Sequence, residues 1–164
     1  MYRPILDLPK TKREKVWDWI GGGIFLLSML YIIVVWGKIP DEVPGHFNAA
    51  GEVDRWGSKF ELFILPFIGV FLWILMGLLE KAPQMYNYPA RLNENNVEAF
   101  YLSSRKILNE VKNYCLILFS IISIQMVRIS LGDAHSLGWW FLPLVIIGTA
   151  FPIIRGLVAS SKIK

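Results

Sequence analysis

Residues 20–36 read IGGGIFLLSMLYIIVVW and contain no charged side chain. Together with residues 16–19 they make 21 residues, which as a helix extend over roughly 30 Å at about 1.5 Å per residue. That length matches the hydrocarbon core of a bilayer. Four apolar blocks of this kind predict membrane spans at 16–36, 60–79, 114–131 and 137–154. We therefore predict an all-α integral membrane protein with four transmembrane helices and a single membrane domain over residues 1–164.

The composition excludes most other classes of protein. Of the 164 residues, 54% are hydrophobic and 18% are charged, whereas soluble domains have about 45–50% apolar and about 25% charged residues. The apolar residues fall in blocks, which excludes a disordered chain, and a single cysteine, Cys115, excludes an intrachain disulfide. The net charge of +4 comes without a basic patch interleaved with stacking aromatic residues. We therefore expect the lipid bilayer as a partner, and no nucleic acid.

The distribution of basic residues predicts the orientation. Of the 17 lysines and arginines, 13 lie in residues 1–15, 80–113 and 155–164. Lys and Arg in short loops are retained in the cytoplasm, so both termini and the inner segment 80–113 should face the cytoplasm. Residues 37–59 would then form a loop outside the cytoplasm.

The outer loop, residues 37–59, differs in composition from the rest of the chain. It reads GKIPDEVPGHFNAAGEVDRWGSK, with a proline or glycine every few residues and no apolar stripe at helical spacing. Three bulky side chains, Phe47, Val53 and Trp56, can be buried against a surface, which a flexible linker would not need. The pattern predicts a compact, turn-rich extracytoplasmic loop that lies on the outer ends of the helices.

Two motifs resemble a known family. IPDEVPGHFNAAGEVDRWGSK, residues 39–59, is similar to the signature of a bacterial membrane-domain family of unknown function, in which a proline-rich turn precedes His-Phe-Asn, Gly-Glu-x-Asp and Trp-Gly-Ser-Lys. NYPARLNENNVEAFYLSSRK, residues 87–106, resembles the second marker of that family. The same domain forms the N-terminal part of immunity proteins similar to the one that protects Bacillus from its sporulation-delaying toxin. The resemblance implies a multi-pass protein of the bacterial cytoplasmic (inner) membrane with a role in toxin immunity.

Polar and aromatic side chains of the outer loop are the candidates for binding a ligand: His46, Asn48, Glu52, Asp54, Trp56 and Lys59. The alternative interpretation is structural, with His46 bonded to the loop backbone, Asn48 closing a turn and Trp56 anchored at the headgroups. A metal site is a weaker hypothesis. His46, Glu52 and His135 offer suitable ligand atoms, but their spacing fits neither a zinc helix nor a calcium loop. We expect no cofactor.

Two charged residues near the outer face predict a contact between spans. A charge inside a span costs roughly 2.5–3.5 kcal/mol, so it tends to face the bundle and find a partner. Glu61 opens the second span and Arg128 lies at a similar depth in the third, which predicts an ion pair between them. Gln125 falls on the same helical face as Arg128 and extends this polar stripe. The alternative is that Arg128 reaches outward to the headgroups.

Two features of the inner side leave alternatives open. Residues 93–113 carry apolar side chains at three- and four-residue steps, which predicts a cytoplasmic amphipathic helix that lies on the inner leaflet or continues into the third span. Its basic residues Arg105, Lys106 and Lys112 would meet anionic headgroups. The glycines at 21–23 permit either a close approach of helices or merely a weak first turn.

Three functions are compatible with these features. The leading hypothesis is recognition through the outer loop, in envelope sensing or toxin immunity, with a peptide toxin or another envelope ligand as the partner. A second is a metal-assisted membrane enzyme, which no nucleophile–base pair supports, since Ser58 and Lys59 adjoin but have no evident partner. A third is a structural or assembly subunit of a membrane complex. A second copy of the chain and a cytoplasmic regulator docked on residues 80–113 are further candidate partners.

Overall fold

The computed structural model describes residues 3–164, which consist mainly of four long helices. These are α1 Lys12–Val35, α2 Ile64–Leu79, α3 Val97–Ser130 and α4 Phe141–Ser161. Short 3-10 helices occur at Trp36–Lys38, Lys59–Phe63 and Pro83–Met85. Within residues 3–164, four segments are long and apolar enough to cross a membrane: Lys12–Lys38, Lys59–Leu79, Val97–Ser130 and Phe141–Ser161. The predicted number of spans is therefore confirmed by length and composition.

The predicted turn-rich loop is instead built around an antiparallel β-hairpin, so the chain is not entirely helical. Strand β1, Glu42–Phe47, pairs with strand β2, Val53–Ser58, and Pro44 lies opposite Trp56. The register is irregular around His46, where a bulge changes the pairing. Proline is tolerated here because each strand of a two-stranded sheet has one edge without ladder hydrogen bonds.

Helix α3 is the central element of the bundle. It contains 34 residues, about 51 Å of helix, and packs against α1, α2 and α4. It contains both the predicted third span and most of the predicted amphipathic helix, so the amphipathic helix continues into the span. Helix α4 begins at Phe141 and not at residue 137, because Leu137 N donates a hydrogen bond to Gly51 O of the hairpin turn (2.8 Å).

Apolar side chains cover the outside of the bundle, while several polar ones are buried between the helices. Trp19, Phe67 and Ile147 are 82%, 75% and 64% exposed, respectively. Glu14 and Asn109, in contrast, are almost completely buried. Apolar surface on this scale is unusual for a soluble protein and fits a protein surrounded by lipid. The distribution supports a multi-pass membrane protein.

The bundle has two ends with separate cores. The hairpin end comprises residues 36–63 and 131–140, and its core is formed by Ile39, Val43 and Leu62 together with Ile32 of α1 and Met126 and Val127 of α3. The termini end comprises residues 3–11, 80–97 and 162–164, and its core is formed by Tyr88, Leu92 and Val97 together with Phe100 and Tyr101 of α3. Leu6 and Ile163 pack against this second core. Both ends of the described chain therefore lie on the same side of the bundle, as an even number of crossings requires.

The close approach of α1 to α3 depends on Gly21. A Cβ atom added at Gly21 would lie 2.5 Å from Asn113 Oδ1, which also accepts a hydrogen bond from Trp73 Nε1 (3.1 Å). At Gly22 and Gly23 an added Cβ would meet no atom of the described residues within 4 Å. Close helix approach therefore explains Gly21 but not its two neighbours.

We predict that Gly21→Ala destabilises the protein by about 1–3 kcal/mol, because the added methyl group displaces the Asn113 amide from its partners. Gly22→Ala is the matched control on the same helix. It should be neutral or stabilising by up to about 1 kcal/mol, since alanine is the better helix former. Thermal unfolding of both purified variants in one detergent measures the difference, and equal unfolding temperatures would contradict the prediction.

Candidate functional site

A cleft of about 310 Å³ opens beneath the hairpin, between β1 and the adjoining ends of α2, α3 and α4. Its polar lining side chains are His46, Asn48 and Glu61. Its apolar lining side chains include Ile64, Leu65, Ile122, Met126, Leu137 and Phe141. An apolar cavity with a few convergent polar groups is the usual form of a site for a small ligand or a peptide side chain. The cleft is therefore the candidate functional site.

His46 stands at the cleft with 65% of its side chain exposed. Its Nδ1 lies 2.6 Å from Asp54 Oδ1 on the opposite strand. An ionised carboxylate only accepts hydrogen bonds, so this contact places the proton of neutral His46 on Nδ1 and leaves Nε2 as an acceptor. Asp54 thus orients the ring, and Nε2 is available to a ligand.

A bidentate ion pair between Arg55 and Glu61 lies beside the cleft. Arg55 Nη2 donates to Glu61 Oε2 (2.8 Å) and to Gly45 O (2.7 Å), and Nη1 donates to Glu61 Oε1 (3.2 Å). The hydrogen bond with Glu61 raises the pKa of Arg55 above its ordinary value. A Cβ at Gly45 would lie 2.7 Å from the guanidinium, and one at Gly57 would lie 2.1 Å from Glu61 Oε1. The two glycines therefore make room for the pair.

The predicted ion pair between Glu61 and Arg128 does not form among the described residues. Strand β2 leads directly into the 3-10 helix Lys59–Phe63, so Arg55 is the nearer cation and takes both oxygens of Glu61. Arg128 Nη1 instead donates to Gln125 Oε1 (3.2 Å). Gln125 Nε2 donates to Ser136 O (2.8 Å), so this side chain ties α3 to the loop before α4.

Lys59, a predicted ligand-binding residue, has a structural role. Its Nζ donates to the carbonyl oxygens of Trp36 (2.5 Å) and Ile39 (2.8 Å) and lies 4.4 Å from the centroid of the Trp36 ring. These carbonyls follow the end of α1, where backbone acceptors lack helical partners. The ammonium group therefore connects the segment that follows β2 to the residues that follow α1.

The remaining residues that were predicted to bind a ligand lie in the hairpin turn or on the surface. Asn48 Oδ1 accepts hydrogen bonds from Ala50 N (2.9 Å) and Glu52 N (3.0 Å), and Asn48 Nδ2 donates to Glu52 Oε2 (2.9 Å). Gly51 has φ +80°, a left-handed conformation that favours glycine. Asn48 and Gly51 thus close the hairpin turn. Trp56 is 51% exposed and does not line the cleft.

The three candidate metal ligands do not come together. His46 contacts Asp54, Glu52 contacts Asn48, and His135 lies in the exposed loop before α4. Across residues 3–164, no group of three or more His, Cys, Asp or Glu side chains is arranged to hold a metal ion. The structure therefore provides no built site for the metal-assisted enzyme hypothesis.

Sequence reasoning missed a buried polar network between α1, α2 and α3 near the termini end. Lys112 Nζ lies 2.8 Å from Asp18 Oδ1 and 2.6 Å from Glu80 Oε1, and the side chains of Lys112 and Glu80 are each 1% exposed. Lys10 Nζ lies 2.6 Å from Asp18 Oδ2 and 2.7 Å from Glu80 Oε2. Burial lowers the pKa of Lys10, but hydrogen bonds to Asp18 and Glu80 outweigh this and raise it overall. Two lysines thus neutralise two carboxylates.

Amide side chains of α3 complete this network. Asn109 Nδ2 donates to Asp18 Oδ1 (2.9 Å) and to Glu80 Oε1 (3.1 Å). Asn113 Nδ2 donates to Asp18 Oδ1 (2.8 Å), so this one carboxylate oxygen accepts a hydrogen bond from each of the two amides. Hydrogen bonds to the charged form stabilise it where water is excluded. The network therefore joins three helices with each carboxylate next to a lysine, while Asn109 Oδ1 is buried without a hydrogen-bond partner in the described structure.

Arg105 makes a second buried ion pair, with Nε 2.7 Å from Glu14 Oε1. Arg105 and Lys112 were predicted to meet anionic headgroups, and that prediction is wrong, because Arg105 pairs with Glu14 of α1 and Lys112 pairs with Asp18 of α1 and Glu80 at the end of α2. The signal in the sequence is spacing, since Arg105, Asn109, Lys112 and Asn113 recur at helical steps on one face of α3. A polar face within an otherwise apolar helix indicates burial against other polar groups.

The hairpin region is similar to a family of unknown function. Residues 23–70 match the sequence profile described as Domain of unknown function (DUF1648). The match runs from α1 through the hairpin into α2, so it contains His46, Asn48 and Glu61 of the cleft. It supports a domain of unknown function within a membrane protein.

A relative with no assigned role is also similar to the chain. An uncharacterized protein of Archaeoglobus fulgidus is 34% identical over an alignment of 96 residues, and the match covers 54% of this chain and 48% of that protein. The chain thus spans about half the length of this relative. No solved structure matches the chain.

We predict that Lys112→Met destabilises the protein by about 3–5 kcal/mol, because it leaves the buried carboxylates of Asp18 and Glu80 with too little positive charge. Lys106→Met is the matched control. It removes the same charge from the same helix, and Lys106 has no ion-pair partner in the described part of the chain. That control should change the stability by about 0.5 kcal/mol at most. Chemical unfolding in detergent measures both, and similar losses would argue against the network.

Proposed function

We propose that this protein recognises a peptide or another envelope ligand in the cleft beneath the hairpin, in envelope sensing or in protection against a toxin. The observation that carries the proposal is the composition of the cleft, in which an apolar surface lies beside three polar side chains. The volume of about 310 Å³ suits one or two side chains of a peptide, not a whole helix. Such a site favours binding over catalysis.

The polar side of the cleft is suited to a ligand that carries hydrogen-bond donors. His46 Nε2 is an acceptor in the neutral tautomer, and Asp54 already fixes the ring. Glu61 is neutralised by Arg55, so the cleft does not select strongly for charge. Apolar side chains such as Ile122 and Phe141 provide the surface that an aliphatic or aromatic group would cover. A peptide with an apolar side chain next to its N–H groups fits this chemistry.

The proposed location is the bacterial cytoplasmic membrane, with the hairpin outside and both termini in the cytoplasm. Thirteen of the 17 basic residues lie toward the termini end or in the tail, which supports this orientation. Residues 39–59 resemble a membrane domain that also forms the N-terminal part of toxin-immunity proteins, which supports a protective role. The hairpin would then meet toxins or peptides before they reach the bilayer.

The orientation predicts opposite labelling of two positions. In a Cys115→Ala background, Ala49→Cys places a thiol in the hairpin turn and Asn95→Cys places one at the termini end, both at exposed positions. A membrane-impermeant maleimide should modify position 49 in intact cells and position 95 after the membrane is permeabilised. Modification of position 95 in intact cells, with position 49 protected, would reverse the orientation.

The recognition role predicts that His46→Ala weakens protection about three- to tenfold, the effect of losing one hydrogen bond to a ligand. His135→Ala is the matched control, since His135 is exposed at the same end but does not line the cleft. Ile122→Trp should weaken protection as well, because it fills the cleft. The measurement is the survival of expressing cells with a panel of amphipathic membrane-active peptides. Equal survival of all three variants and the unchanged protein would refute the role.

A further inference from the structure

A groove of about 460 Å³ lies near the termini end, between the start of α1, α3 and α4. Its charged lining residues are Arg13, Lys106, Glu110 and Arg155. Other lining side chains are small or apolar, and it shares no lining residue with the cleft beneath the hairpin. The groove is therefore a separate candidate site, with a charged part and an apolar part.

The charged part of the groove has a surplus of positive charge. Glu110 Oε1 lies 3.0 Å from Arg13 Nη2, and Glu110 Oε2 accepts a hydrogen bond from Arg155 Nη2. One carboxylate thus pairs with two guanidinium groups, while Lys106 pairs with no carboxylate of residues 3–164. Arg155 Nε is buried and has no hydrogen-bond partner within the described structure. The four charged side chains therefore sum to +2, and this net positive charge attracts an anion.

The apolar part of the groove follows the contact between α3 and α4. Gly156 brings the two helices together, since a Cβ at this position would lie 2.1 Å from Ile107 Cγ1. Ala159 lines the groove one turn further along α4. The adjoining residues Leu157 and Val158 are exposed on the outside of the bundle. A ligand in this groove therefore meets cations and hydrocarbon-like surface at the same time.

We propose that the groove binds the headgroup of an anionic phospholipid. The lipid phosphate supplies negative charge between Arg13, Lys106 and Arg155, and an acyl chain covers the apolar part formed by Ile107 and Ala159. Basic pockets between transmembrane helices are suited to such headgroups, because the phosphate pairs with the cations while the tails stay in the hydrocarbon. The inference uses the placement of the four helices in a membrane, and it does not depend on ligand recognition by the cleft.

A phospholipid fits the groove better than a free phosphate ion does. Inorganic phosphate would pair with the cations but leave the apolar lining uncovered, whereas a lipid covers both parts. The proposed orientation also places the groove at the cytoplasmic leaflet, where anionic lipids attract basic residues near the surface. A bound lipid would link Arg13 of α1 to Lys106 of α3 and Arg155 of α4.

The test is native mass spectrometry of the purified full chain in detergent, titrated with phosphatidylglycerol and, separately, with zwitterionic phosphatidylethanolamine. Phosphatidylglycerol should bind more tightly, and Lys106→Gln should weaken its binding about fivefold. Lys15→Gln, which removes an exposed charge of α1 outside the groove, should leave binding unchanged. Equal binding of the two lipids, or equal affinities of the two variants, overturns the proposal.

A second pair of variants separates a lipid from a free anion. Ala159→Phe fills the apolar part of the groove without changing its charge, and Val158→Phe is the matched control on the exposed side of α4. The proposal expects Ala159→Phe to weaken phosphatidylglycerol binding about fivefold, Val158→Phe to have no effect, and millimolar inorganic phosphate not to displace the lipid. Displacement by phosphate together with unchanged binding by Ala159→Phe assigns the groove to a free anion and overturns the proposal. Thermal unfolding confirms that each variant is folded.

Discussion

The bundle depends on the neutralisation of charge between its helices. Lys112 of α3 lies between the carboxylates of Asp18 and Glu80, and Lys10, which precedes α1, contacts the same two carboxylates. A buried ion without a partner costs several kcal/mol, and surrounding lipid offers no replacement. The helices are therefore restricted to arrangements in which these partners meet. The cleft beneath the hairpin and the groove near the termini end both lie between helices that are held in this arrangement.

The four spans were predictable because their signal is local. Length and the absence of charge suffice to recognise a segment such as residues 20–36. The hairpin was not predictable in the same way, because Pro44, Gly45 and Gly57 interrupt the alternation typical of strands. Its stability comes from contacts between residues such as Arg55 and the carbonyl of Gly45, and these contacts appear only once the strands pair.

The sequence predicts some of the residues that line the candidate site, but not which residues they contact. His46 and Asn48 were predicted from the outer loop, and both line the cleft. Lys59, from the same prediction, is occupied by backbone carbonyls at the end of α1. Glu61 was assigned to Arg128 by depth alone, whereas a cation six residues earlier in the chain reaches it first. Depth in the membrane constrains which groups can meet, but strand register and helix rotation decide which of them do.

Glu14 and Arg105 form one buried ion pair although 91 positions separate them in the chain. When α1 leaves the ribosome, Arg105 has not yet been synthesised, and a lone carboxylate is unstable in hydrocarbon. The pair forms only after Arg105 of α3 has been synthesised, so the direction of translation sets the order in which these two helices are joined.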